Sequence, residues 1–529
     1  MPDWILLLPL LFPLVAALTL VPVAARLALP LRQAIAIAFV VVEILLILLN
    51  IAPGTHRLEI LTWEPGFTLV LQMDGITQLL LLTMFVPLVA LWLIAPTSTP
   101  FDLHSTLVLV AAIVLAMANG LVATYVGWTL LDLALLAWRI HRNIEPHTAI
   151  RSLVIGLLTG LILFAGAILL AGARPLEGAT LLALALWARL GLYPFHPLLP
   201  LHGAGVNEMW LARGVPLLAA ANLWLHWSAF GADAPYLLIN LLAGAALVIA
   251  AVWVWREEDP LRALAAGTQS ALIFIPLAVT YGGDAWLALA LWLTLASAFA
   301  LALFEAALRW RAENLNRFAR VLGLVGVITL AGLPLTPAFL ARLGTYIALW
   351  ESAQWGFVIG MGFATLVIFP PLWNLALMLN GSEKREPHPG EYIGLTILLL
   401  MFLAFALTPT LIAAALAPTV GEAAGRALLR VLAPNDVLAL GIGITMLIVP
   451  FVASFFLRGL AARRRPNRRG LLARIARIGD LDWLEHVVSA VGFQMGMLAR
   501  NVFTITEENP TVWILLISLW VAIFIAIAR

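Results

Sequence analysis

The sequence WARLGLYPFHPLLP at residues 187–200 and the sequence LAGLPLTPAFLARLG at residues 330–344 each place prolines within a long apolar run. A proline inside a helix removes one backbone hydrogen bond and kinks the helix. A carbonyl freed in this way needs a partner in lipid, so broken transmembrane helices line protein or a water-filled cavity. We therefore expect two discontinuous transmembrane helices, interrupted near mid-membrane at Pro194 and near Pro334–Pro337.

The composition around these stretches is that of a membrane protein. Of the 529 residues, 63% are hydrophobic and 11% are charged, whereas a soluble domain is about 45–50% apolar and about 25% charged. The formal net charge of +2 is too small to indicate nucleic-acid binding. The sequence therefore predicts a single all-α, multi-pass membrane domain.

The sequence contains no recognisable redox or catalytic centre. Cysteine is absent, which excludes disulfides, thiolate metal ligands and cysteine nucleophiles. The sequence also has no Rossmann glycine pattern, P-loop or metal-ligand motif. We therefore expect no bound cofactor, no metal site and no catalytic residue in this chain.

Apolar runs long enough to cross a bilayer, which takes about 20 residues, follow one another along the chain. The first run has no basic region before it and no small-residue cleavage site after it, so we interpret it as a span and not as a cleaved signal. The pattern predicts fifteen spans and a separate final one. The runs cover residues 4–24, 33–51, 75–95, 104–118, 121–138, 149–172, 178–196, 209–230, 236–254, 262–281, 285–307, 319–342, 355–379, 391–416, 435–457 and 511–528.

Arginine and lysine mark one set of loops. Basic residues follow spans one, five, nine, eleven, thirteen and fifteen, all of them odd-numbered. The positive-inside rule then places these loops in the cytoplasm and the N-terminus outside, in the inner (cytoplasmic) membrane of a cell. Residues 458–510 begin with an arginine-rich stretch, which predicts either a basic cytoplasmic loop held by anionic lipid or an amphipathic helix lying along the membrane domain.

The two proline motifs lie five spans apart, which suggests two related halves, as in transporters built from repeats. Arg189 and Arg342 lie close to the motifs, and a cation inside a bilayer is costly enough to mark a functional path. The alternative is two ordinary kinks with arginines that reach the membrane interface. The halves would be 104–230 and 236–379, flanked by N-terminal spans at 1–100, C-terminal spans at 391–457, the basic or amphipathic segment at 458–510 and a final helix at 511–528.

Five segments, in order, resemble the antiporter-like membrane subunits of respiratory complex I, membrane-bound hydrogenases and Mrp-type cation:proton antiporters. This resemblance implies about 14–16 helices with two inverted five-helix repeats, discontinuous helices and a hydrated polar axis. It also implies a non-redox subunit that moves protons or Na⁺ when partner membrane subunits drive it, as in NADH:quinone oxidoreductase of the respiratory chain. The segments are WEPGFTLVLQMDGIT (63–77), LVATYVGWTLL (121–131), ARLGLYPFHPLLP (188–200), EEDPLRALAAGTQS (257–270) and AGLPLTPAFLAR (331–342).

The residues at the family's titratable positions differ in this chain. Thr129 replaces the glutamate of the fifth span, and Asp132, three residues further on, can share its helix face. Arg189 and Arg342 replace the lysines of the seventh and twelfth spans. Arginine cannot carry a proton by releasing it, whereas a buried lysine can. We expect Asp132 to lie within ion-pair reach of Arg189, in place of the family's glutamate and lysine.

Span eleven has no titratable residue at the positions that the resemblance aligns, which are Ala290, Thr294 and Ala298. Histidines remain in the first half, although a lone histidine in a membrane is more often a structural residue than part of a relay. Glu43 and Glu305 are assigned no role. The candidate ion pathway therefore comprises Asp132, Arg189, His196, His202, His226 and Arg342.

The main hypothesis is a proton- or cation-translocating membrane subunit of a complex-I-like or Mrp-like assembly, with an incomplete proton relay. A structural paralogue that kept the fold and lost conduction is one alternative. A second alternative is an autonomous ion-coupled antiporter. A third is an unrelated transporter whose proline kinks resemble these motifs. If the main hypothesis is correct, the chain is a non-redox membrane subunit of a respiratory translocase and carries out no redox chemistry of its own.

Overall fold

The chain divides into two compact units, residues 1–468 and residues 469–529. The second unit, which holds the predicted final helix and most of the predicted basic segment, lies outside the described residues. The computed structural model describes residues 7–24, 26–50, 56–64, 67–94, 102–143, 146–171, 174–195, 208–225, 235–256, 260–310, 316–379, 388–407, 431 and 437–463.

Seventeen α-helices account for most of this described part. A π-helical turn at Trp210–Gly214 leads directly into the eighth helix. The helices are α1 (Leu8–Ala24), α2 (Leu29–Leu49), α3 (Gly75–Ile94), α4 (Leu103–Met117), α5 (Leu121–His141), α6 (Pro146–Ala171), α7 (Pro175–Arg189), α8 (Val215–Leu225), α9 (Tyr236–Arg256), α10 (Pro260–Leu272), α11 (Phe274–Tyr281), α12 (Trp286–Arg309), α13 (Asn316–Ala331), α14 (Phe339–Glu351), α15 (Trp355–Met378), α16 (Pro389–Leu407) and α17 (Val437–Arg463).

These helices follow the predicted spans closely. Each of the first fifteen predicted spans overlaps a helix. Ten helical segments in the described part of the chain are long and apolar enough to cross a membrane, and three shorter apolar helices accompany them. Helices satisfy their own backbone hydrogen bonds and can therefore span lipid. The protein is thus an all-α, multi-pass membrane protein, which confirms the predicted fold class.

The first proline motif ends a helix. α7 stops at Arg189, and the residues that follow to 195 are not helical, with a cis bond between Tyr193 and Pro194. The next helical turn in the described residues begins at Trp210. Gly191 has a φ of 64°, a left-handed conformation that glycine adopts without steric cost. The predicted interruption at this motif is confirmed.

The second proline motif separates α13 from α14. The prolines Pro334 and Pro337 both lie in the non-helical stretch between Ala331 and Phe339. Gly332, with a φ of 70°, follows the end of α13 just as Gly191 follows α7. Span twelve is therefore broken where the sequence predicts. The predicted inverted symmetry of the two halves stays a prediction.

A small antiparallel sheet lies at one end of helices α2 to α5. β1 (His56–Glu64) pairs with β2 (Phe67–Met73), and β2 pairs with the two-residue β3 (Ala118–Asn119). The first two strands connect α2 to α3, and β3 connects α4 to α5. Asn119 also donates a hydrogen bond from its side chain to the side-chain oxygen of Gln72. The connections after spans two and four therefore lie at the same end of the helices.

A group of ion pairs joins connections at the opposite end. Arg142, just after α5, contacts Asp102, just before α4, at 2.6 Å and Glu208, just before the π-helical turn, at 2.9 Å. These residues belong to connections that follow spans three, five and seven. The ion pairs therefore agree with the alternation of even and odd connections predicted from the basic residues. They do not assign either end to a cellular compartment, and the orientation stays a prediction.

α12 runs through the core of the described part. It contacts α3, α8, α10, α11, α13, α14 and α16, and nearly all of its residues are buried. By contrast, α2, α6 and α17 each expose one apolar side. Apolar side chains on the outside of a membrane protein are expected because lipid is as apolar as they are.

Candidate functional site

A buried ion pair connects α5 to the end of α7. Nη1 of Arg189 donates to Oδ1 of Asp132 at 2.6 Å, and both side chains are 3% exposed. Such a pair holds two charges out of lipid only because each compensates the other. The predicted contact between Asp132 and Arg189 is confirmed, whereas the role of the pair in an ion pathway stays a prediction.

Trp128 provides the second support of the Arg189 guanidinium. The carbonyl of Trp128 accepts a hydrogen bond from Nη2 of Arg189 at 3.1 Å. The guanidinium carbon also lies 4.4 Å from the centroid of the Trp128 ring, within the range of a cation–π contact. Arg189 is therefore held by α5 through a carboxylate, a carbonyl and an aromatic face.

Gly156 of α6 makes room for the Asp132 carboxylate. A Cβ at position 156 would overlap the Oδ2 and Cγ atoms of Asp132. α5 and α6 pack against each other, so the absence of a side chain at position 156 lets the two backbones enclose the carboxylate. Two turns nearer the end of α5, the buried Arg139 donates to the hydroxyl of Ser152 on α6.

The second proline motif places Arg342 in a different environment. Nη1 of Arg342 donates to the carbonyl of Leu330, at the end of α13. The guanidinium carbon lies 3.9 Å from the centroid of the Phe274 ring on α11. Arg342 is 2% exposed, and within the described ranges no carboxylate pairs with it.

The two arginines correspond in position within the predicted halves. Arg189 belongs to the fourth span of the first half and is covered by Trp128 from the second span. Arg342 belongs to the fourth span of the second half and is covered by Phe274, which also belongs to a second span. Each cation is therefore supported by an aromatic ring from the equivalent span, but the described residues supply a carboxylate only in the first half.

Span eleven offers no titratable group in its central part. α12 buries Ala290, Thr294 and Ala298, the positions at which the resemblance predicts titratable residues. The hydroxyls of Thr294 and Ser297 donate to backbone carbonyls one turn earlier, at 2.8 Å each. The protons of both hydroxyls are therefore used within α12 itself.

A second buried ion pair lies at the end of α12 and was not predicted from the sequence. Arg309 donates to one oxygen of Glu305, and the backbone N–H of Trp210 donates to the other. Arg309 also donates to the carbonyl of Leu91 on α3 at 2.9 Å. The spacing of four residues between Glu305 and Arg309 indicates a helical ion pair, but sequence alone does not reveal that it is fully buried.

Glu208 lies near this second pair, outside the membrane-spanning helices. Burial raises the pKa of the Glu208 carboxyl above its usual range, and the opposing effect of Arg142 is the next largest. The charge on Glu208 therefore depends on its contact with Arg142. His196, His202 and His226, which belong to the predicted pathway, lie outside the described residues.

Comparison with solved structures shows which known proteins have a similar fold. The chain matches no protein-family model and no curated protein. It is similar to a chain of the Mrp complex from Dietzia sp. DQ12-45-1b, with a TM-score of 0.68 and 19% identity over 94% of this chain and 60% of that one. It is also similar to a chain of respiratory complex I from Thermus thermophilus, with a TM-score of 0.63 and 17% identity over 81% of this chain and 100% of that one.

A third similar structure is a chain of the archaeal membrane-bound sulfane sulfur reductase, a respiratory membrane complex. Its TM-score is 0.64, with 17% identity over 78% of this chain and 77% of that one. The protein therefore has the fold of membrane subunits found in Mrp, complex I and sulfur-reducing assemblies, and the sequence resemblance is confirmed at that level. It spans 60% of the length of the Mrp subunit.

Proposed function

We propose that this protein is an antiporter-like membrane subunit of a multi-subunit, complex-I-like or Mrp-like assembly, and that its proton or cation path is confined to the first half. The observation that carries the proposal is the buried pair of Asp132 and Arg189. Arg189 occupies the position at which the resemblance implies the lysine of an ion-translocating site, and Asp132 lies three residues beyond the position of its glutamate. The shared fold supports the assembly, because all three similar structures are membrane complexes.

Asp132 is the titratable member of this pair. Arg189 keeps its proton under physiological conditions and acts as a fixed charge. A proton crossing the first half would therefore use Asp132, His196, His202 or water, and the Arg189 charge would set how readily Asp132 accepts it. His226 is assigned a supporting position in the same half. Arg342, at the second break, is a fixed charge outside this path.

Flux measurements in proteoliposomes test the proposal. The intact assembly, reconstituted with this chain, should lose most of its proton or Na⁺ flux when Asp132→Asn is introduced. His196→Ala should lower the flux as well. Asp284→Asn, which alters an exposed carboxylate between α11 and α12, is the matched control and should leave the flux unchanged. Robust flux in both Asp132→Asn and His196→Ala would show that the path lies elsewhere.

A structural, non-conducting subunit is the second candidate, and the composition of α12 favours it. A chain with no titratable side chain at Ala290, Thr294 and Ala298 lacks the central groups of a continuous relay. On this reading, deleting the chain prevents assembly of the complex, while Asp132→Asn leaves both assembly and flux intact. Flux through the purified chain alone would instead favour an autonomous antiporter.

A further inference from the structure

Three potential metal ligands meet at the end of the helices that carries the Arg142 ion pairs. They are the carboxylate of Asp102, just before α4, and the imidazoles of His104 and His141, in the first turn of α4 and the last residue of α5. One ligand atom from each residue lies within 4.8 Å of the other two. The two imidazole rings stack, with centroids 4.2 Å apart and an angle of 19° between their planes.

This cluster is separate from the proposed ion path. His141 lies nine residues beyond Asp132 on α5, which corresponds to about 13 Å along the helix axis. The cluster is also partly accessible, because His141 is exposed while Asp102 and His104 are half-buried. An ion can therefore reach the site from solvent without entering the membrane domain.

The ligand set suits a zinc-class ion. Two imidazole nitrogens and one carboxylate oxygen are a known three-ligand zinc set, and water completes the coordination. Tetrahedral coordination with bonds of about 2.0–2.2 Å places the ligand atoms about 3.4 Å apart, whereas the three atoms here lie within 4.8 Å of one another. Because the residues are not fully buried, small rotations of the side chains achieve this without moving either helix.

The charges around the cluster also favour a dication. Asp102 and Glu208 are acidic and Arg142 is basic, so the group carries one net negative charge when the imidazoles are neutral. The backbone N–H of Ser105 donates to Oδ1 of Asp102 at 2.9 Å, an outer contact of the kind that orients a metal ligand before the ion arrives. Arg142 contacts the other oxygen, Oδ2, at 2.6 Å and therefore competes with an ion for it.

We propose that Asp102, His104 and His141 bind a divalent transition-metal ion of the Zn²⁺ class and thereby join the start of α4 to the end of α5. Sequence analysis predicts no metal site here because the two histidines belong to different helices and show no ligand spacing. Only the packing of α4 against α5 brings them together. The proposal does not depend on the proposed ion translocation.

Zn²⁺ binding to the purified full-length protein tests the site directly. The protein, prepared without a polyhistidine tag and stripped with a chelator, should bind one Zn²⁺ per chain with His104 and His141 intact. His104→Ala and His141→Ala should each weaken binding by at least about tenfold, since even the loss of an outer contact typically costs about 10–100-fold in affinity. His388→Ala, which alters a histidine preceding α16, should leave the affinity unchanged.

Arg142→Gln separates metal binding from a purely structural role of the cluster. Arg142 competes for the Asp102 carboxylate and adds a positive charge beside the ion, so its removal should strengthen Zn²⁺ binding. Zn²⁺ should also raise the unfolding temperature of the wild-type protein but not that of the His104→Ala/His141→Ala double variant. Equal Zn²⁺ affinity in the wild type and the double variant would overturn the proposal.

Cu²⁺ provides a spectroscopic readout that needs no destabilising variant. Electron paramagnetic resonance of one equivalent of Cu²⁺ bound to the wild-type protein should show hyperfine coupling to two imidazole nitrogens. His141→Gln, at an exposed position, should reduce the coupling to one nitrogen. Coupling to fewer than two nitrogens in the wild type, or a spectrum that His141→Gln does not change, would contradict the site.

Discussion

At the scale of single residues, the Asp132 carboxylate fits between α5 and α6 only because Gly156 has no side chain. Gly156→Ala would force a methyl group against the carboxylate, and overpacking of this kind typically costs about 1–3 kcal/mol. We expect this variant to unfold at a lower temperature in detergent. Gly160→Ala, one turn further along α6, is the control because its Cβ would meet Tyr125 at 3.5 Å, an ordinary contact. Equal stability of the two variants would show that α6 does not enclose Asp132.

Two buried glutamates differ in whether their carboxylates have hydrogen-bond partners. Glu43 on α2 is fully buried, and neither of its oxygens has a hydrogen-bond partner in the described part of the chain. The helices packed beside it, α1 and α3, contain no ionisable residue. Glu305 is equally buried but is bonded to Arg309 and Trp210. Within the described residues, hydrogen bonds offset the cost of removing the carboxylate from water at Glu305 but not at Glu43.

We expect opposite outcomes when each glutamate is replaced by leucine. Glu43→Leu should preserve or raise the unfolding temperature, because it removes a buried polar group that has no partner. Glu305→Leu should lower it strongly, since removing one partner of a buried ion pair typically costs about 3–5 kcal/mol. Thermal unfolding of the two variants in the same detergent measures the contrast. A marked loss of stability in Glu43→Leu would reveal a partner for Glu43 that the described residues do not include.

At the scale of elements, the break between α13 and α14 relies on Gly332. This residue has a φ of 70°, and a Cβ there would lie 2.6 Å from Cδ of Arg342. Gly332→Ala therefore combines backbone strain with a clash against the arginine that the motif positions. Gly356→Ala, in the first turn of α15, is the control because a Cβ there meets nothing within 4 Å.

The expected result is a lower unfolding temperature for Gly332→Ala, by an amount equivalent to at least about 1 kcal/mol. Gly356→Ala should be neutral, or slightly stabilising because alanine has the higher helix propensity. If Gly332→Ala were as stable as Gly356→Ala, the left-handed glycine would not be needed to end α13. The interruption would then depend on Pro334 and Pro337 alone.

At the scale of the whole molecule, the two halves differ in what they can transport. Arg342→Lys supplies a titratable group at the second break but leaves α12 without one at Ala290, Thr294 and Ala298. We therefore expect Arg342→Lys to leave ion flux through the reconstituted assembly unchanged. Asp132→Asn, measured in parallel, should abolish most of the flux. A large change of flux in Arg342→Lys would mean that the second half conducts.

The sequence by itself determined the class of fold and the places where its helices break. Composition requires a membrane protein because so many apolar residues cannot be kept in water, and proline removes the hydrogen bond that a continuous helix needs. The contact between Asp132 and Arg189 was also predictable, since a cation inside a bilayer requires a partner. These conclusions follow from local chemistry and from the medium around the chain.

Tertiary structure alone decided how deeply the other charged residues are buried and which groups surround them. Arg309, four residues after Glu305, indicates an ion pair in the sequence, but only helix packing brings the backbone N–H of Trp210 to the second oxygen of Glu305. The cluster of Asp102, His104 and His141 likewise exists because α4 and α5 pack with those ends together. The physical reason is that hydrogen bonds and ion pairs act over about 3 Å. Which groups come that close depends on helix packing, which apolar periodicity does not specify.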